Sequence, residues 1–160
     1  MKRRIIWSTI LVLGLAAIQT TVQADDAPAI EGVWFTTITP IACPNGPAIG
    51  APPFHALTMF GRDGSVTNEA AFPPAPVPPV PRRSSGLGAW QQTVGHMYTA
   101  TFRFFRYKAD GSFDVMRKVS LKIALLGNQF TSIDMFQDFD ENNKPLATVG
   151  CNVETGYRVQ

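Results

Sequence analysis

Few residues in this chain have the types and spacings that catalysis needs. Its two histidines, His55 and His96, stand far apart in sequence, and neither belongs to an H-x-H or H-E-x-x-H pattern that would place two imidazoles on one metal. No G-x-S-x-G turn is present to present a serine nucleophile. Ser84 and Ser85 follow Arg82 and Arg83 with no base beside them, which reads as a solvated loop. Asp138, Asp140 and Asn142 begin like a calcium loop. The sixth position would be Asn143 rather than glycine and the twelfth Val149 rather than glutamate, so a hairpin turn is the better reading. The sequence therefore predicts no catalytic residue, no metal site and no cofactor.

Binding chemistry is better represented. Tyr98, Ala100, Phe102 and Phe104 alternate along one strand-like face, with Thr99, Thr101 and Arg103 on the other. Phe113, Val115, Val119, Leu121 and Ile123 share a face of the next segment, and Arg117 falls among them. A guanidinium on an apolar face is costly without a counter-charge, so an inward Arg117 needs Glu154 or Asp134, or a bulge that turns it outward. It is a candidate anchor for a carboxylate or similar head group. Ala147, Val149, Cys151, Val153, Tyr157 and Val159 form the apolar set of the last segment. The ligand-lining candidates are Trp34, Trp90, Tyr98, Phe102, Phe104, Arg117 and Tyr157. Two readings stay open: these side chains fill a small interior, or they line a cavity.

The elements that must position these residues read as strands. No sustained helical period occurs after the amino-terminal stretch. Eight strand-like runs are predicted: 30–41, 54–60, 65–71, 87–94, 96–107, 112–125, 129–139 and 146–159. Asp63-Gly64, Asp110-Gly111 and Gly127-Asn128 mark tight turns between them. Residues 73–86 hold six prolines. They cannot serve a central strand, because proline has no N–H to give to a ladder. They are predicted to form an extended surface loop, able to dock on a protein partner in polyproline II form.

Short loops between neighbours imply antiparallel pairing. Eight such strands in one small domain suggest a closed up-and-down barrel, the arrangement that leaves no exposed edge. A β-sandwich is the alternative. In the barrel the last strand closes on the first. A bridge between Cys43, just past the first strand, and Cys151, in the last, would staple that closure.

The amino terminus bears on that bridge. Lys2, Arg3 and Arg4 precede an apolar run from Ile5 to Ile18, and Val22-Gln23-Ala24 fits a small-residue cleavage site. Residues 1–24 read as a secretory signal peptide, since the run is shorter than the roughly 20 residues a spanning helix needs. Residues 25–160 form one domain, exported to the periplasm or secreted, with no membrane span. In an oxidising compartment an even cysteine pair reads as a disulfide, which removes both thiols as nucleophiles. The chain carries 14 basic and 12 acidic residues. Losing three basic ones with the leader leaves a mature charge of −1, which argues against nucleic-acid binding.

Gly32-Val33-Trp34-Phe35-Thr36-Thr37 is echoed by Gly88-Ala89-Trp90-Gln91-Gln92-Thr93, each followed by a strand and an Asp-Gly-Ser turn. The G-x-W at Gly32 and Trp34, on the first strand, resembles that of lipocalins and other calycin barrels. The resemblance implies that Trp34 packs across the barrel bottom near a basic residue of the last strand, for which Arg158 is the match. The chain differs from typical lipocalins in being shorter and in lacking a helix after the last strand. Ser85 to Glu154 is also similar to a group of uncharacterised exported bacterial proteins, through Gly88-Ala89-Trp90, the aromatic strand ending at Asp110-Gly111, and Gly150-Cys151 with Glu154. The expected role is capture of a small or apolar ligand. An envelope protein–protein interaction module and a barrel-type cyclase or isomerase are the alternatives, the last requiring His96, Glu154 and Arg117 to converge inside.

Overall fold

The computed structural model describes residues 29–71 and 82–159. The predicted signal peptide and residues 73–81 of the Pro-rich loop lie outside the described residues. Among the described residues nine strands are formed: β1 (Gly32–Ile41), β2 (Phe54–Phe60), β3 (Ser65–Ala71), β4 (Arg82–Arg83), β5 (Gly86–Gln92), β6 (Met97–Tyr107), β7 (Phe113–Leu126), β8 (Gln129–Phe139) and β9 (Pro145–Arg158). β4 and β5 both pair with β6, one after the other along its length, so together they fill one of eight staves. Every pairing is antiparallel, each stave pairs with its neighbours in sequence, and β9 returns to β1. The result is a closed barrel in a single sheet, not a sandwich of two.

The turn chemistry works as expected. Asp63 Oδ1 accepts from the Ser65 amide at 3.0 Å and its hydroxyl at 2.6 Å, and Asp110 repeats the pattern on Ser112 at 2.9 and 2.7 Å. Asp140 Oδ1 accepts from the amides of Asn142 and Lys144, so the calcium-like stretch is a hairpin turn. Closure of β9 on β1 is stapled as the cysteine positions suggested. Cys43 and Cys151 are disulfide-bonded, with Cα atoms 5.1 Å apart. Ile41, two residues before Cys43, pairs directly with Cys151.

Tyr98, Ala100, Phe102 and Phe104 of β6 and Val119, Leu121 and Ile123 of β7 are buried as predicted, but Phe113, expected on the same inward face, packs edge-on against the exposed Phe105, beyond the register shift at Arg106/Tyr107. On β9 the prediction is reversed. Asn152, Glu154 and Gly156 are buried, whereas Val149, Tyr157 and Val159 are about half exposed on the outer face. The reason is steric. A Cβ on Gly150 would overlap the Phe136 ring, and one on Gly156 the Phe130 ring. The inward side of β9 is kept small because aromatic rings from β8 lie across it. Its apolar residues are left outside, where Tyr157 pairs with the exposed Phe35, itself opposite Leu57.

Candidate functional site

The barrel interior divides into three zones. At the end where β1 begins and β9 finishes, it is packed. Trp34 is completely buried, with Phe130 edge-on at 5.1 Å between centroids. Phe60 meets Phe130 and Trp90 edge-on, both at 6.2 Å, and Trp90 tilts against Tyr98. The indole N–H of Trp34 donates to the Ile30 carbonyl and that of Trp90 to the Gly61 carbonyl, so both polar handles are satisfied. The Arg158 guanidinium lies over the Trp34 ring, 4.4 Å from its centroid, and donates to the carbonyls of Glu31 and Ala29. Trp34, Trp90 and Tyr98 thus build a floor.

Above the floor comes a buried polar layer. Asn68 donates to the Thr58 hydroxyl at 2.8 Å, and Ser132 donates to Asp134 Oδ1 at 2.6 Å. Ser132 on β8 pairs directly with Glu154 on β9, which brings Glu154 next to Asp134 on the shared inward face. Both carboxyls are almost wholly buried. Burial raises Asp134 to about 6, partly offset by the hydrogen bonds it accepts from Ser132 and Glu154. Burial, and then the neighbouring Asp134 charge, push Glu154 well above the ordinary carboxylate range. Burial thus keeps the pair protonated to higher pH than free carboxylates, Glu154 more strongly than Asp134. Glu154 Oε1 has no hydrogen-bond partner among the described residues.

The third zone, at the disulfide end, is hollow. A cavity of about 320 Å³ is walled by Ile38, Phe54, Phe102, Phe104 and Phe136, with Asp134 and Glu154 at its base. That size lies at the small end of ligand pockets, and an apolar wall with few convergent polar groups is their usual make-up. Arg117 reaches it and is neutralised there. Its Nε and Nη2 donate to Asp138 Oδ1 and Oδ2 at 2.6 and 2.8 Å, and its guanidinium lies 3.9 Å from the Phe136 ring centroid. Its partner is Asp138 rather than the expected Glu154 or Asp134. Arg117 and Asp138 face each other directly across β7 and β8, whereas Asp134 is two inward positions further along.

Arg83 is the residue the sequence reading missed. It is not in a solvated loop: β4 pairs it with Arg106, and its side chain enters the cavity wall. Its guanidinium stacks 3.9 Å from the Phe104 ring centroid. Nη2 donates to the Asn68 carbonyl at 2.7 Å and to its side-chain oxygen at 2.8 Å, and Nε donates to the Ser84 carbonyl. Desolvation, opposed by the Glu69 charge and aided by that of Arg117, lowers its pKa to about 10. An arginine directly after a proline run carries no sequence signal of burial; only the β4–β6 pairing places it.

Of the predicted ligand residues, Phe102, Phe104 and Arg117 meet in the cavity. Trp34, Trp90 and Tyr98 stand below it, and Tyr157 lies outside the barrel. Glu154 and Arg117 converge as an enzymatic reading required, but His96 does not: it is exposed in the β5–β6 turn at the floor end. The site can surround an apolar body of modest size, present two guanidiniums at its wall and exchange a proton at its base. In comparisons with known families and with curated proteins, the chain matches no family and no curated sequence.

Proposed function

We propose that this protein is an exported, lipocalin-like barrel that captures a small, largely apolar molecule in the cavity at its disulfide end. The observation that carries the reading is the asymmetry of the interior. One end is filled to contact by Trp34, Phe60 and Phe130, while the other keeps about 320 Å³ open between aromatic walls. Protein interiors are otherwise close-packed, so an unfilled apolar zone above a filled one suits a ligand. Export is supported by the amino-terminal pattern and by a disulfide that spans 108 residues, a cross-link that persists in oxidising compartments. The calycin likeness rests on Trp34 and its last-strand partner Arg158.

The test is native mass spectrometry of the protein purified from its own host's extracytoplasmic fraction, with titration of an apolar fluorescent probe. A co-purified small molecule that the probe displaces is the expected result. Absence of any bound molecule together with no saturable probe binding would sink the reading. Amino-terminal sequencing of the same sample should begin at Asp25.

A second reading is favoured by one specific observation, the buried carboxyl pair of Asp134 and Glu154 facing the cavity. A buried acid poised beside a carboxylate can deliver and retrieve a proton, as a barrel-type cyclase or isomerase requires. Turnover of a captured molecule that Glu154→Gln abolishes without releasing the ligand would establish it.

A further inference from the structure

Arg83 and Arg117 both line the cavity wall, and only Arg117 has an ion-pair partner there; Glu69 acts on Arg83 from beyond ion-pair distance. Arg117 has the bidentate Asp138. Arg83 has no carboxylate within ion-pair distance among the described residues; its bonds go to the neutral oxygens of Asn68 and Ser84. Its described hydrogen bonds are made through Nε and Nη2. Holding a desolvated cation beside a second one is unfavourable, and such an arrangement is ordinarily relieved by a counter-ion. The stack on Phe104 and the two bonds to Asn68 also fix the guanidinium in place, leaving little freedom to lose on binding an anion.

We infer that Arg83 is the head-group receptor of the cavity, and that the captured molecule is a small apolar carboxylate whose anionic end pairs with it. This rests on the ligand-capture reading above and specifies the ligand's chemistry. A monoanion matches the single unneutralised charge. A dianionic phosphate would exceed it, with the carboxyls of Asp134 and Glu154 already at the base. With Nε and Nη2 already engaged, the carboxylate would be met by the N–H groups of Nη1 as a charge-assisted contact rather than by a two-nitrogen fork. The apolar body then lies against Phe102, Phe104 and Phe136, and the cavity volume restricts it to a short chain or a single ring rather than a long-chain lipid.

The experiment is calorimetric titration of the disulfide-bonded protein with octanoate and with octanamide, its neutral isostere, at about pH 8, where octanoate is ionised. The wild type should bind octanoate at least about tenfold more tightly than octanamide, the margin a charge-assisted pair supplies. Arg83→Gln should erase that preference while octanamide affinity stays within about twofold, and Arg83→Lys should keep part of it. Equal binding of both probes by the wild type, or an octanoate preference that survives in Arg83→Gln, overturns the inference and leaves ligand capture standing. Binding of neither probe, nor of the apolar fluorophore, overturns the capture reading itself. Should Arg83→Gln fail to fold, the wild-type ratio and Arg83→Lys decide.

Discussion

Arg158, near the end of β9, lies flat over the indole of Trp34 on β1, and its guanidinium also holds the carbonyls of Glu31 and Ala29 just before β1 begins. One side chain thereby seals the barrel floor and fixes the segment that enters it. The contact is worth more than a surface cation–π pair, because the indole beneath is fully buried. Trp34→Ala should cost about 3–5 kcal/mol in urea unfolding, as for a large aromatic removed from a packed core. Arg158→Met, which keeps the stem but not the fork, should cost about 1–2 kcal/mol. A loss below about 0.5 kcal/mol for Arg158→Met would show that the floor closes without it.

The Arg117–Asp138 pair is asymmetric in a way that mutation can read. Asp138 is nearly inaccessible, and Arg117 is pinned between it and Phe136. Removing the carboxylate strands a cation in the cavity wall, so Asp138→Asn should destabilise by roughly 3 kcal/mol. Arg117→Met with Asp138→Leu should recover much of that, since the pair would be replaced by packed apolar groups. A double-mutant cycle by chemical denaturation measures the coupling. Additive single losses would mean that the pair contributes nothing beyond its parts.

Asp134 and Glu154 give the fold a distinctive pH dependence. Both carboxyls are raised in the folded state, so the unfolded chain ionises first as pH increases. The folded state keeps its full advantage from these groups below about pH 4, where both are protonated in either state. It loses that advantage as pH rises through about 6, the folded value of Asp134, and Glu154 continues the loss above that. Wild-type unfolding free energy should therefore fall from pH 4 to pH 8 by roughly 2–3 kcal/mol through this pair. Glu154→Gln should flatten the curve and gain stability at pH 8 but not at pH 4. Parallel wild-type and variant curves would remove the pair as the cause.

The Cys43–Cys151 bridge should matter most for barrel closure. It closes a loop of 108 residues, and chain-entropy models assign such a loop about 4–5 kcal/mol, of which real proteins often realise less. The Cys43→Ser/Cys151→Ser variant should lose about 2–4 kcal/mol. Hydrogen exchange should accelerate first along the β1–β9 ladder near Ile41 and Cys151. Exchange that speeds up uniformly instead would mean that the bridge acts only on the unfolded chain.

Much of the architecture was legible because strands announce themselves locally. The runs 54–60, 65–71 and 129–139 match β2, β3 and β8 residue for residue, since a period of two ends sharply where Asp-Gly, Gly-Asn or proline interrupts it. The inward set of β6 was legible for the same reason: Tyr98, Ala100, Phe102 and Phe104 are all apolar, and Thr99, Thr101 and Arg103 between them are not. β9 was misread because the same alternation selects Val149, Val153 and Tyr157, whereas the inward positions hold Gly150, Asn152, Glu154 and Gly156. Hydropathy cannot report that rings from β8 need the room two glycines leave.

The site divides along the same line. Sequence alone established an all-β chain, the approximate extent of eight strands and the pairing of two cysteines across the closure, which follow from local alternation and from the need to join the last strand to the first. The contact of Trp34 with a basic residue on the last strand came from the calycin resemblance, and β4 carried no local signal. Only the tertiary structure decided that the interior is filled at one end and hollow at the other, that Arg117 belongs to Asp138, that Asp134 and Glu154 are buried side by side, and that Arg83 lines the cavity with no carboxylate at ion-pair distance among the described residues. Those facts depend on register between strands and on side-chain volume summed across eight staves, and neither quantity is carried by any single stretch of the chain.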